Sequence, residues 1–139
     1  MDSQRLFTPQ EIDEFIPQLE TIFEHIYTCK ARAEALATQV LARKPSLEPA
    51  EIAHGQLIQS QVEFLMGAIQ DDIQQILTLG GVMKDIEKGL VDFPGEVDGR
   101  EVWLCWKIGE PHLRFWHGLE EGFNQRQALH RQDKNTTLH

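Results

Sequence analysis

The sequence has few of the features that mark a secreted or membrane protein. It contains only two cysteines, Cys29 and Cys105, in segments of very different character, so we expect free thiols rather than a structural disulfide. No window approaches the roughly 18 consecutive apolar residues of a membrane span. The first residues also lack a basic region followed by an apolar one. We therefore expect a cytoplasmic protein without a membrane span or a signal peptide.

Positive charge is also scarce. The chain of 139 residues has 13 Lys and Arg against 22 Asp and Glu, a net charge of −9. Residues 1 to 80 hold 5 basic and 12 acidic side chains, hence −7, and would repel a phosphate backbone. Three tryptophans, Trp103, Trp106 and Trp116, could stack on bases, but with this charge we expect no nucleic acid partner.

The first half of the chain predicts a long helix. Thr8 and Glu11 have the spacing of a capping box, and Pro9 suits the first helical position. Apolar residues then recur every three or four positions, which predicts about four coiled-coil heptads: Ile12, Phe15, Leu19, Ile22, Ile26, Cys29, Ala33, Leu36 and Val40. Pro17 lies inside this pattern and should kink or restart the helix.

A second helix of the same kind follows Lys44-Pro45 and ends at Gly80-Gly81. Its apolar pattern places Asp72 near the helix interface: Ile52, Leu57, Ile58, Val62, Leu65, Ile69, Ile73, Ile76 and Leu79. The two helices predict an antiparallel coiled-coil hairpin over residues 8–80.

The apolar stripe widens at one end of this hairpin. Ile16 and Phe23 add a column on the first helix, and Phe64, Met66 and Leu77 add one on the second. These columns should pack on the segment after Gly80 or on a second copy of the chain. Because the opposite end is alanine-rich and has a thin core, we predict a homodimer that pairs the helices of two hairpins.

Residues 81–129 predict a small β module. Candidate strands are Val82–Ile86, Leu90–Phe93 ended by Pro94, Val102–Trp106 and His112–His117, with a tight turn at Asp98-Gly99. The expected fold class is α+β: the hairpin followed by a three- or four-stranded antiparallel sheet packed on its base. Residues 1–129 should form one domain, and residues 130–139 a disordered tail.

The C-terminal half also carries many uncommon residues in one order, among them Gly89-Leu90-Val91-Asp92-Phe93-Pro94, Leu104-Cys105-Trp106, Gly109-Glu110, Trp116-His117 and Arg126. In these residues the chain resembles a bacterial family catalogued as domain of unknown function 2203. The resemblance extends over nearly the whole chain but implies no activity, because the family has none assigned. Gly118 and Gln125 depart from the family pattern, which usually has an acidic and a small residue there.

Five residues of this half have side chains suited to metal binding or acid–base chemistry: Asp92, Cys105, Glu110, His112 and His117. None has the spacing of a known metal motif, so we predict no metal and no cofactor. A nucleophilic pair of Cys105 and His117 is disfavoured, because burial between two tryptophans would raise the pKa of the thiol.

Two classes of function remain. The first is a non-enzymatic interaction or scaffold protein that presents the hairpin and the β module to an unidentified protein partner. The second is a ligand- or metal-binding protein, with enzymatic activity left open, whose candidate site residues are Asp92, Arg100, Glu110, Trp116, His117 and Arg126. Convergence of these side chains on one pocket would favour the second. A factor entering the RNA polymerase secondary channel is disfavoured, since the hairpin tip at Arg43–Ser46 lacks an acidic pair.

Overall fold

The computed structural model describes residues 5–131, which contain two long helices. Helix α1 is Pro9–Ala42 and helix α2 is Pro49–Leu79. The predicted capping box is present at the start of α1: Thr8 N donates to Glu11 Oε1 at 2.9 Å, and Glu11 N donates to Thr8 Oγ1 at 3.1 Å. Helix α1 runs through Pro17 without a break, so the helix does not restart there, and the other predicted effect of Pro17, a kink, stays a prediction.

The end of α2 is a Schellman cap, in which two glycines satisfy the last carbonyls. Gly81 N donates to Ile76 O and Gly80 N donates to Leu77 O, each at 3.0 Å. Gly80 has a φ of +108°, a conformation that side chains disfavour. A Cβ there would also lie 2.2 Å from the Phe7 ring. Glycine at this position therefore both ends the helix and admits the ring.

The chain divides into two compact units. Among the described residues, the helical unit is 21–75, and the sheet unit is 5–20 with 76–131. In the helical unit α1 and α2 pack against each other, with these side chains buried: Ile22, Phe23, Ile26, Cys29, Ala33, Ile58 and Ile69. Its stripe is thin, because several large apolar side chains of α2 stay exposed.

The sheet unit contains a five-stranded antiparallel sheet in sequential order, which confirms the α+β class. The strands are β1 Val82–Asp85, β2 Leu90–Val97, β3 Arg100–Lys107, β4 Phe115–His117 and β5 Gln127–Ala128. Asp98 (φ +52°) and Gly99 (φ +81°) form the predicted tight turn between β2 and β3. A short 3-10 helix, Phe123–Gln125, precedes β5.

The two faces of the sheet differ in chemistry. The first face is the core of the sheet unit, where the Phe93 ring contacts Phe7 and Phe15 at centroid distances of 5.3 and 5.9 Å. It buries side chains of β2 to β4 with the first turns of α1: Ile12, Ile16, Leu19, Val91, Phe93, Val102, Leu104, Trp106 and Trp116. The second face carries Asp92, Cys105 and His117.

Three expectations about the sheet unit need correction. The sheet has five strands because β5 pairs with β4, and β4 begins at Phe115 rather than His112. Strand β2 does not end at Pro94 but continues to Val97, paired with β3. Strand β1 pairs with β2 only as far as Asp92. Pro94 therefore lies beyond that ladder, where its missing N–H breaks no bond, and its carbonyl accepts from Phe7 N at 2.8 Å.

Two further expectations concern the apolar column that Phe64, Met66 and Leu77 add to α2, and the predicted disordered tail of residues 130–139. Phe64, Met66 and Leu77 are exposed, so the prediction that this column packs on the segment after Gly80 is wrong. The homodimer stays a prediction. Arg131, placed in the disordered tail, makes an ion pair with Asp13 at 2.9 Å. The rest of that tail, residues 132–139, lies outside the described residues.

Candidate functional site

Three chemically reactive side chains meet on the second face of the sheet. In the β2–β3 register Asp92 lies opposite Cys105, and in the β3–β4 register His117 lies opposite Trp103. Because side chains alternate along a strand, Asp92, Cys105 and His117 project from the same face. Their ligand-type atoms all lie within 4.8 Å of one another. We call these three residues the sheet cluster.

The Asp92–His117 contact holds a buried proton. His117 Nδ1 lies 2.9 Å from Gly118 O, and His117 Nε2 lies 2.9 Å from Asp92 Oδ2. A carbonyl oxygen only accepts, so Nδ1 carries a hydrogen. A second proton must lie between Nε2 and Oδ2, since two lone pairs would otherwise face each other. With 4% and 2% of the side chains exposed, this is a buried pair.

The third member of the sheet cluster is a thiol held in its neutral form. Burial raises the pKa of Cys105 to about 12, and the neighbouring Asp92 carboxylate adds to the shift. The Arg126 guanidinium opposes it, with Nη1 3.9 Å from the sulfur. Cys105 therefore has no thiolate character near neutral pH, which supports the expectation that it is not a nucleophile.

Arg126 and Glu110 form a second polar layer beside the sheet cluster. Arg126 donates through both terminal nitrogens to the Glu110 carboxylate, at 2.9 and 3.2 Å. Glu110 Oε1 also accepts from Lys107 N at 2.9 Å. The guanidinium lies over the Phe115 and Phe123 rings, 4.0 and 4.5 Å from their centroids. The ion pair and the two rings hold the guanidinium in place, with Nη1 3.9 Å from the Cys105 sulfur.

One atom of the sheet cluster has no partner. Asp92 Oδ1 is buried and makes no hydrogen bond, the single such side-chain N or O atom among the described residues. A buried carboxylate oxygen left unpaired costs on the order of 1–3 kcal/mol. Such a group is rare, and an ion or a water is its usual explanation.

The sheet separates the six predicted site residues into two groups. Asp92, Glu110, His117 and Arg126 are connected through the second face. Arg100 and Trp116 project from the first face instead, with the guanidinium 5.7 Å from the indole centroid. The predicted set thus does not converge as a whole.

His112, also considered a ligand type, lies at a groove on the sheet unit. Its Nδ1 is 3.7 Å from Asp13, which also accepts from Leu113 N at 2.8 Å. The groove has a volume of about 1260 Å³ and lies between the first turns of α1 and the β4–β5 region. No motif spacing pointed to Asp13, because its partners lie about a hundred residues away in sequence.

Residues 5–129, nearly all of the described chain, match the model of the family of uncharacterized conserved proteins DUF2203, the domain of unknown function 2203. The chain belongs to this family. No curated protein and no solved structure matches it. The DUF2203 match includes all of the sheet cluster and the Arg126–Glu110 layer. Neither helix of residues 5–131 is both long and apolar enough to cross a membrane.

Proposed function

We propose that this DUF2203 protein binds a divalent transition metal ion of the zinc class through Asp92, Cys105 and His117. The observation that carries the proposal is the buried Asp92 Oδ1, which has no hydrogen-bond partner beside a thiol and an imidazole. A cation placed there would receive one oxygen, one sulfur and one nitrogen ligand. These are the three ligand types found in protein zinc sites.

The surroundings of the sheet cluster support metal binding. The Gly118 carbonyl holds the hydrogen of His117 on Nδ1, so Nε2 is the nitrogen presented to the cluster. Metal-bound histidines are commonly oriented by such a bond from their other ring nitrogen. Arg126, held by Glu110, places a positive charge beside the Cys105 sulfur and would stabilise its thiolate.

Charge balance also favours a divalent ion. A carboxylate and a thiolate carry two negative charges, so a divalent cation with neutral His117 makes the buried group neutral. The ion would release two protons, one from the Cys105 thiol and one shared by Asp92 and His117. Three protein ligands leave one position of a tetrahedral ion for water or a small ligand, the arrangement typical of catalytic zinc sites.

Metal titration of the chelator-treated full chain tests this function. Calorimetry with Zn²⁺ should show one ion per chain, and Co²⁺ should develop thiolate absorption. Asp92→Asn and Cys105→Ser should abolish both signals while retaining the fold, because an amide can still donate to His117 Nε2 and serine is nearly isosteric with cysteine. The matched control His112→Gln alters an exposed imidazole outside the sheet cluster and should bind normally. Binding that survives in both cluster variants would refute the proposal.

A second function rests on α2, where apolar side chains are exposed on both flanks of the buried stripe. Leu57 and Phe64 are 56% and 76% exposed on one flank, and Ile52 and Met66 are 44% and 51% exposed on the other. A helix in a larger bundle buries such flanks. We propose that the helices pair with those of a second copy of the chain, so that the homodimer offers a scaffold to a protein partner.

Light scattering at tens of micromolar tests the homodimer. The wild-type chain should have the mass of two chains, and Phe64→Glu should shift it to the mass of one. Gln56→Glu adds the same charge at an exposed position on the face of α2 opposite the buried stripe and should leave the dimer intact. A monomeric wild type would refute this function without affecting the metal site. Both proposed functions suit the cytoplasm, where a reducing environment keeps free cysteines as thiols.

A further inference from the structure

The helical unit contains a second cluster of the same three residue types. His25 and Cys29 lie one turn apart on α1, and Asp72 lies on α2. His25 Nδ1 is 2.5 Å from Asp72 Oδ2, and His25 Nε2 is 3.7 Å from Cys29 Sγ. We call these three residues the helical cluster.

In the helical cluster the imidazole lies between the carboxylate and the thiol. A carboxylate accepts from Nδ1–H, so the neutral imidazole has its lone pair on Nε2, which faces the Cys29 thiol. The histidine is therefore placed to take the thiol proton, while the carboxylate fixes its tautomer and stabilises the imidazolium. This is the division of roles in nucleophiles activated by a histidine and an acidic residue.

Exposure in the helical cluster increases from the carboxylate to the base. The Asp72 side chain is 7% exposed and Cys29 is 5% exposed, whereas the His25 side chain is 55% exposed. The imidazole can exchange protons with solvent at once. The thiol lies beside this exposed ring and is itself nearly buried, which favours a small reagent over a large substrate.

The helical backbone restricts the chemistry further. Cys29 and Asp72 lie in the interior of α1 and α2, where backbone N–H groups bond to carbonyls within the helix. No pair of free N–H groups is available there to stabilise the oxyanion of an acyl-transfer reaction. The electrophile must therefore react without forming an oxyanion that needs backbone donors. A hydroperoxide meets this condition, because the hydroxide that leaves it takes up the proton from the imidazolium.

We propose that Cys29 is a site of oxidation by hydroperoxides, with His25 as general base and Asp72 as a positioning residue. His25 Nε2 removes the thiol proton, and the sulfur attacks one peroxide oxygen. An S–O bond forms as the O–O bond breaks. The imidazolium proton passes to the departing hydroxide, so hydrogen peroxide yields a sulfenic acid and water. Sulfur loses two electrons, and the peroxide gains them. This inference is independent of the metal site.

Sulfenic acid trapping with dimedone, followed by peptide mass spectrometry, tests the proposal on the full chain treated with hydrogen peroxide. Cys29 should be labelled well before Cys105, which is 1% exposed and whose pKa is raised by burial and by the Asp92 carboxylate. His25→Gln should slow labelling of Cys29 on the order of 100-fold, the lower range for loss of a general base. Glu24→Gln, an exposed neighbour on the same turn, should react like wild type.

Asp72→Asn tests the positioning role of Asp72 through the tautomer of His25, which does not depend on the stability of the fold. The ¹⁵N shifts of the His25 ring should change from the tautomer with hydrogen on Nδ1 towards the one with hydrogen on Nε2, and Cys29 labelling should slow in parallel. Unchanged labelling in His25→Gln would overturn the proposal. Equal labelling of Cys29 and Cys105 would also overturn it, because both thiols would then react through the unfolded chain.

Discussion

The sheet cluster and the helical cluster have the same composition, one aspartate, one histidine and one cysteine, and opposite connectivity. In the helical cluster His25 lies between the carboxylate and the thiol. In the sheet cluster Asp92 lies between His117 and Cys105, while the other nitrogen of His117 is occupied by a backbone carbonyl. One thiol therefore faces a base, and the other faces a negative charge.

This difference shows that the order of hydrogen bonds decides what a cysteine can do. A base beside a thiol lowers the barrier to losing its proton, whereas a buried carboxylate beside a thiol raises the cost of a thiolate. Only a cation in the sheet cluster would reverse the second effect, because it would neutralise both anions. This difference is why we propose a nucleophile in the helical unit and a metal site in the sheet unit, although the three residue types are the same.

The largest expected difference between the clusters is in the free energy of unfolding. His117→Leu strands the Asp92 carboxylate in a dry interior, which should cost about 3–5 kcal/mol. His25→Leu opens a half-exposed contact where water can replace the imidazole, and should cost about 1 kcal/mol. Urea denaturation in the presence of chelator measures both, by tryptophan fluorescence and far-UV circular dichroism. Equal costs would show that burial does not separate the clusters.

The pH dependence of zinc affinity should distinguish the sheet cluster next. Release of two protons predicts that the affinity rises up to about 100-fold per pH unit below neutrality. Calorimetry in buffers of different ionisation enthalpy counts the protons directly. An affinity independent of pH would contradict the charge balance.

The alkaline stability of the metal-free chain tests the environment of Cys105 alone. Its folded pKa of about 12 exceeds the ordinary value of 9.0. The unfolded chain therefore loses a proton that the folded chain keeps, and stability falls as pH rises from 9.0 towards 12. One proton limits this loss to about 1.4 kcal/mol per pH unit. Cys105→Ser should remove it, whereas Cys29→Ser should leave the slope as in wild type.

The smallest expected effect on stability is at Glu11, an exposed residue away from both clusters, and it shows how little an exposed interaction contributes in comparison. The Thr8 backbone N–H, followed by Arg5, lowers the pKa of Glu11 below 4.5. Its contribution to stability is present above 4.5 and is lost as pH falls through the lowered value. Glu11→Gln should therefore be slightly less stable than wild type at neutral pH and equal to it in acid. A difference that persists in acid would assign the effect to the hydrogen bonds rather than to the charge.

Local patterns predicted most of the architecture. The helix termini followed from Thr8, Glu11 and the glycine pair, because capping depends on residues within a few positions of each other. The burial of Cys105 was expected from its place between two tryptophans in an apolar strand, and the thiol is buried. Periodicity identified Phe64 and Met66 as apolar positions beside the buried stripe, but it does not show which partner covers them, and in the single chain both are exposed.

The sequence by itself determined the two helices, the existence of the first four strands, the turn at Asp98-Gly99 and the residue types available for chemistry. These depend on short-range sterics and on hydrophobic periodicity. Only the tertiary structure decided that Arg100 and Trp116 project from the opposite sheet face to His117, and that Asp72 reaches His25. Strand register and helix pairing bring distant residues within 3 Å, and hydrogen-bond order at that distance leaves no trace in local sequence. The chemistry of each cysteine is therefore a property of the fold.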